Sequence, residues 1–446
     1  MKYVYLLALG AFINAVGSGL SAFGLAIFAY QTWGSASAVG VVQLCAFTPI
    51  IVLAPLAGVL ADRFDRRVMM MIGDGGSVVG LALVWFALGS HSPRLGAVLA
   101  GLTLSACLAA LTEPALRASV SDLVSPEHHV RSSGLLQVAA SARYLVSPVL
   151  AGVLLPMTGL RTLVALDAAT CVVTVACTCI VMRAVGHPRK YGRNDRSGAT
   201  AELLLGWRIL RRRNNVRIVV ELMTFMTATV GTVQILFKPI LLPHVSTAAM
   251  GRIETLCAAG ILAGAALTTV AGRIVPELLL ALGTGGAGLF MVALSLRTWP
   301  WWVVTSGFGV FAALALCNAG AETLVRRSVD TEHQARVWGV ISLVTQLGYV
   351  LAYATAGPLT DRVLQPLMEP RAPLAPSLGA IMGVGAGRGA ALLVALAGLT
   401  TTGLAVLIHA RRAVLVPARP ESSGDQYGGP QGRDETVRIG TGPESC

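Results

Sequence analysis

The sequence predicts an all-α membrane protein of about twelve transmembrane helices in two pseudo-symmetric six-helix bundles. Three observations carry this: composition, the spacing of apolar runs, and an internal repeat. Of 446 residues, 54% are apolar before the 49 glycines are counted. Soluble domains reach about 45–50% with glycine included. Charged residues make up 13%, against a usual ~25%, too few to cover a soluble surface for this length. These figures exclude an ordinary soluble enzyme, and they exclude disorder for the body of the chain.

Apolar runs at 4–29, 38–60, 68–89, 95–116, 134–157, 161–183, 216–242, 251–271, 277–296, 300–325, 338–360 and 389–410 supply the twelve spans. A helix rises ~1.5 Å per residue, so about twenty residues cross a hydrocarbon core ~30 Å thick. The first run is too long for a signal-peptide core and is read as a retained helix. Connections are mostly short and turn-rich, as at Gly34-Ser35-Ala36-Ser37, the pattern of antiparallel helices joined at the membrane faces. Seven of the eight cysteines fall inside apolar runs, where they read as small packing residues.

Charge sets the orientation. With the N-terminus inside, 25 of the 34 Lys and Arg fall on the inner side, 8 on the outer, and Arg143 lies within a span. This asymmetry predicts that both termini are cytoplasmic. The net charge of +12 therefore points to a lipid bilayer, with no nucleic acid as partner.

Four segments follow: 1–183 and 216–410 as the two bundles, 184–215 as a cytoplasmic linker, and 411–446 as a disordered cytoplasmic tail. Within the linker, Leu203, Leu204, Trp207 and Leu210 share a helical face with Arg208, Arg211 and Arg212 largely off it. Such an amphipathic helix is expected on the inner membrane surface.

The repeat appears on shifting the sequence by 209, which lays Ala110, Glu113, Arg117, Ser119 and Val120 on Ala319, Glu322, Arg326, Ser328 and Val329. Both halves thus carry the same loop after their fourth helix. This is the mark of duplication in transporters that rock one half against the other. Glu113 with Arg117, and Glu322 with Arg326, stand i,i+4 with the acid first, the favourable order for a helical pair. They read as inner-gate ion pairs.

Between the second and third spans stands Gly58-Val59-Leu60-Ala61-Asp62-Arg63-Phe64-Asp65-Arg66-Arg67. Gly58 permits close backbone approach, and Asp62 can accept hydrogen bonds or face a helix N-terminus. The arginines suit carboxylates or lipid phosphates. A plain basic anchor explains Arg66 and Arg67 but leaves Asp62 unexplained. The stretch resembles the signature loop of the major facilitator superfamily, Gly-x-Leu-Ala-Asp-Arg-x-Gly-Arg-Arg, with Asp65 in place of the second glycine. The resemblance implies a cytoplasmic gate made by Asp62, Arg63 and Arg67 that holds the outward-open state. The second-half equivalent, Ala271-Gly272-Arg273, has lost the acid.

Leu203-Leu204-Leu205-Gly206-Trp207, Ser147-Pro148-Val149-Leu150-Ala151-Gly152 and Gly383-Val384-Gly385-Ala386-Gly387-Arg388-Gly389 resemble the macrolide-efflux and enterobactin-exporter branch of that family. Pro148 and Gly152 match its fifth-helix antiporter motif, in which Arg143 and Ser147 stand where two glycines would be. The resemblance implies proton antiport, a monomer, and a cavity lined by helices that here carry Asn14, Gln234 and Asn318. Its substrate would be an amphipathic drug, macrolide or siderophore.

An ionised side chain near mid-bilayer costs at least ~2.5–3.5 kcal/mol unless it faces protein or water. Arg143 lies deepest, about nine residues into the fifth helix. It reads equally as a substrate or proton-coupling group and as one member of a structural pair with Asp167. Asp74, Asp167 and Glu221 complete the proton-coupling candidates; Asp74 and Asp167 also fit scaffold packing, while Glu221 and Lys238 also fit simple snorkelling.

Gly283-Thr284-Gly285-Gly286-Ala287-Gly288 satisfies a dinucleotide fingerprint but lies inside the ninth span, where it reads as helix packing. No phosphate loop, nucleophile elbow or zinc-spaced histidine pair occurs. The expectation is a non-enzyme with no cofactor or metal, drawing on the proton gradient in a bacterial cytoplasmic membrane. The other readings are uptake of a small polar solute, an integral-membrane enzyme, or a sensor.

Overall fold

The structure, a computed structural model, describes residues 1–90, 93–185, 199–270, 274–329 and 334–410. The readings placed on 186–198, on Arg273 and on the tail lie outside the described residues. So do those placed on the side chains of Asp62, Leu203, Leu204 and Arg212. Among the described residues the fold is helical throughout, and twelve stretches are long and apolar enough to cross a membrane.

The first six spans are α1 (Lys2–Trp33), α2 (Ala36–Arg63), α3 (Arg66–Leu88), α4 (Leu95–Ala109) with α5 (Thr112–Leu123), α6 (His129–Leu145) with α7 (Ser147–Thr158), and α8 (Leu160–Val185). Local chemistry sets the ends. Gly34 closes α1 in the left-handed region at φ 62°. The Ser35 hydroxyl accepts from the Ala38 N–H to open α2, and Asp65 accepts from the Arg67 N–H to open α3. Two spans are broken where the sequence reading left them continuous. Pro114 and Pro148 have no N–H to give to the carbonyls of Ala110 and Tyr144, so the ladders lapse there.

After α9 (Ala199–Arg212) come α10 (Asn214–Leu241), α11 (Thr247–Val270), α12 (Pro276–Leu296), α13 (Pro300–Ser328) and α14 (Gln334–Leu359). The chain continues from α14 through a π-helical turn, Thr360–Leu364, and the short α15 (Gln365–Leu367) and α16 (Leu378–Met382). The last span is α17 (Arg388–Ala410).

Helix α9 forms where the sequence placed an amphipathic helix, and it packs on its neighbours in the second half. Leu210 is buried in a core with Val216, Val219 and Val337, and Gly206 lies against the Arg336 carbonyl. Leu210 and Gly206 thus seat α9 against its neighbours, because Gly206 lets the backbones of α9 and α14 approach.

Glycine packing recurs inside the spans. A Cβ on Gly283 would strike the Cys317 backbone, and one on Gly288 would sit 2.6 Å from the Gly398 carbonyl. The fingerprint-like run is therefore a helix contact surface. Outward-facing apolar side chains such as Phe86 (69% exposed) and Leu289 (61%) suit a lipid environment.

The burial pattern fixes which face is shut. Twelve crossings return the chain to the face where α1 begins, here called the terminal face; the other is the far face. One core joins Val4, Leu7, Met70 and Val181 of the first half at the terminal face, and another joins Val216, Leu324, Val337 and Ile408 of the second half there. Neither contains residues of the other half. The largest core mixes both: Phe23, Val39 and Leu163 with Leu236, Met250 and Tyr353, all toward the far face. Among the described residues, the core shared by the two halves thus lies toward the far face, while the cores at the terminal face each belong to one half.

Candidate functional site

The far-face seal is built from two helix crossings. At the first, Gly152 of α7 meets the Thr247 carbonyl and Gly251 of α11, at 3.1 and 3.2 Å from where its Cβ would be. The Pro148 carbonyl lies against Gly251 in the same contact. Pro148 and Gly152, picked out by resemblance, therefore stand at the junction of the halves. At the second, Gly40 of α2 meets the Tyr353 carbonyl of α14, and Gly357 packs on Ser37. Asp361, on the π-helical turn, accepts from the Ala36 N–H (3.0 Å), the Ser37 N–H (2.8 Å) and the Ser37 hydroxyl (2.5 Å).

Beneath the seal, within the second half, lies a small pocket of about 40 Å³, lined by Gln234 and Phe237 of α10, Glu254 and Cys257 of α11, and Val310 and Phe311 of α13. Glu254 on its wall forms an ion pair with Lys238. Lys238 Nζ donates to Glu254 Oε1 at 2.8 Å and Oε2 at 3.0 Å, with the lysine side chain 6% exposed and the glutamate 28%. The ammonium also sits 5.5 Å from the centre of the Phe23 ring, a cation–π contact from the first half. Lys238 is thus held inside rather than snorkelling, because Glu254, two turns into α11, gives it a counter-charge. Beside the pair the Tyr353 hydroxyl donates to Gln234 Oε1 at 2.6 Å, and Phe47, Tyr349 and Tyr353 form an edge-to-face cluster across the junction.

The remaining sequence candidates fall into two groups. Within the first half, Asp74 is buried and accepts from the Thr112 hydroxyl at 2.9 Å and from Asn14 Nδ2 at 3.4 Å. Asp167 is buried on α8. Arg143 itself is exposed on α6. Asn14 is thus engaged with Asp74 and with the Cys171 thiol (3.5 Å), and Asn318 is exposed.

The second group lies at the terminal face. Arg66 pairs with Asp122 at 2.6 Å and Arg67 is buried, while Arg63 is exposed and nothing stands within 4 Å of a Cβ on Gly58. Glu113–Arg117 (2.8 Å) and Glu322–Arg326 (2.6 Å) each pair along their own helix, so the two copies of the repeat take the same local form. Glu221 pairs with Arg217 at 3.4 Å on an exposed surface, outside the cavity.

Sequence reasoning missed Glu254 and Asp361. For Glu254 no local signal exists beyond an acid in an apolar span. For Asp361 one does: Gly357-Pro358-Leu359-Thr360-Asp361-Arg362 repeats the Gly-x-Leu-x-Asp-Arg pattern of residues 58–63. Outside the spans, burial and then the Arg388 charge hold the His244 imidazole below its ordinary pKa. Among the described residues no three His, Cys, Asp or Glu side chains gather as a metal site.

Comparison with known proteins agrees with this architecture. Macrolide efflux protein A of Streptococcus pyogenes is 23% identical over 377 residues, covering 80% of this chain and 89% of that protein. An uncharacterized MFS-type transporter, YfiS of Bacillus subtilis (strain 168), is 23% identical over 360 residues, 76% of this chain and 81% of its own. The crystal structure of the nucleoside transporter NupG superposes with a TM-score of 0.70 at 13% identity, over 92% of this chain and 99% of that one. The Major Facilitator Superfamily model matches residues 7–353. With its twelve spans and two-fold internal likeness, the chain belongs to that superfamily of membrane transporters.

Proposed function

We propose that the chain is a secondary active exporter of an amphipathic small molecule, a macrolide-like or siderophore-like natural product, driven by proton antiport. The observation that carries this reading is that, among the described residues, the core shared by the two halves lies toward the far face, with a mostly apolar pocket of the second half beneath it whose wall carries Glu254 of one ion pair. Such a wall suits a solute that is apolar over most of its surface and carries a polar group. The likeness to a macrolide efflux protein supports the same substrate class.

In this reading the terminal face is cytoplasmic and the structure stands in the state that loads substrate from inside. Substrate enters between the halves and contacts Gln234 and Phe311. Glu254, the more exposed member of its pair, is the group that a proton can reach, and its protonation frees the Lys238 ammonium to move or to find another acceptor. Closing the terminal face then falls to Asp62, Arg63 and Arg67, and Arg143 on the opening wall biases protonation of the acids it faces.

The test is transport by the purified chain in proteoliposomes with an imposed pH gradient. A radiolabelled macrolide should move uphill against the proton flow, and a protonophore should abolish the movement. Gradient-independent equilibration would overturn antiport, and uphill uptake of a sugar or organic acid instead would overturn the substrate class.

A further inference from the structure

Helices α2 and α14 form an antiparallel pair across the junction of the halves, and each ends on the same hexapeptide pattern. Gly58-Val59-Leu60-Ala61-Asp62-Arg63 closes α2 at the terminal face, and Gly357-Pro358-Leu359-Thr360-Asp361-Arg362 follows α14 at the far face. The two copies therefore stand at opposite ends of one helix pair.

At the far face the contact is made. A helix leaves its first backbone N–H groups without partners and carries a partial positive charge there. In α2 the Ala38 N–H is taken by Ser35, inside the first half, while those of Ala36 and Ser37 are taken by Asp361 of the second. The Ser37 hydroxyl adds a third bond to the same carboxylate. Gly357 makes the approach feasible, since a Cβ there would lie 2.6 Å from Ser37 Cα. Pro358 leaves the Ala354 carbonyl without its helical donor, and the chain answers with the π-helical turn that carries Asp361. Among the described residues this carboxylate's three hydrogen bonds all cross the junction, so the far face cannot open until they break.

We infer that Asp361 is the latch that holds the far face shut, the opposite-face counterpart of Asp62, so that one helix pair carries a lock at each end. The inference rests on the alternating-access reading above. It assigns Asp361 a role in setting which face is open, and none in contacting substrate.

The experiment places spin labels at Thr32→Cys of the first half and Glu369→Cys of the second, both exposed near the far face, on a cysteine-free background in proteoliposomes. Double electron–electron resonance then reads the far-face distance with and without an imposed pH gradient plus a macrolide. The wild-type chain should populate mainly the short distance at rest and gain a longer one under the gradient. Losing a charged acceptor from three bonds, Asp361→Asn should raise the resting ratio of long to short roughly tenfold. Ser37→Ala, which removes one hydroxyl and keeps the fold, should raise it by roughly threefold. If the wild type responds to the gradient and both variants reproduce its resting distribution, the latch is wrong and alternating access stands. A wild type that never leaves the short distance overturns alternating access, and the latch with it.

Discussion

Lys238 holds both carboxylate oxygens of Glu254, at 2.8 and 3.0 Å, inside the wall of a cavity whose other contacts are mostly apolar. Removing one partner of such a pair leaves the other charge desolvated and alone, a loss of about 3–5 kcal/mol. Glu254→Gln should therefore lower the unfolding midpoint in detergent. The double variant Lys238→Met with Glu254→Leu should recover most of that loss, because an apolar pair can replace a buried ion pair at little cost. Transport should fail in both. If the double variant is stable and still exports, the pair is scaffold only.

The terminal-face charges separate into anchor and gate by the same kind of test. Arg66 and Asp122 pair at 2.6 Å with 29% and 40% of their side chains exposed, so Arg66→Ala should change stability by less than about 1 kcal/mol and leave export near wild type. Asp62→Asn should abolish export from everted vesicles while the protein still inserts. Wild-type efflux by that variant would remove Asp62 from the gate.

Crowding at the far-face seal gives a third prediction. A Cβ on Gly152 already falls 3.1 Å from the Thr247 carbonyl, so Gly152→Leu has no room unless α7 and α11 part. Overpacking of this kind costs about 1–3 kcal/mol. Here it should be relieved by propping the seal open, read as faster maleimide labelling of cysteines introduced along α11 near Thr247. Unchanged labelling with intact export would show that the crossing tolerates bulk.

The seat of α9 is open to a simpler assay. Gly206→Leu would place its side chain against the Arg336 carbonyl and Val340, both already within 3.0 Å of a Cβ there. The helix should lift from α14, and limited proteolysis in the linker should speed up several-fold relative to wild type.

The spans were legible because a hydrocarbon core filters on one property, apolar length, which a sequence displays directly. The i,i+4 pairs Glu113–Arg117 and Glu322–Arg326 were legible because helical spacing alone brings them together. Groups that meet across the fold were not. Asp361 lies 324 residues from Ser37, and Lys238 reached Glu254 only once α10 and α11 had packed. The docking of α9 escaped for another reason: an amphipathic face bound for a neighbouring helix looks the same in sequence as one bound for lipid.

The claim beneath the functional reading is that one face closes as the other opens, and the terminal face offers its most direct measurement. Val185 ends α8 in the first half and Val270 ends α11 in the second, both exposed, 43% and 79%. Spin labels at these two positions, in liposomes with a macrolide and an imposed pH gradient, should show the distance between them shortening as the terminal face closes. A distance distribution that stays fixed while the same liposomes transport the macrolide would contradict the account.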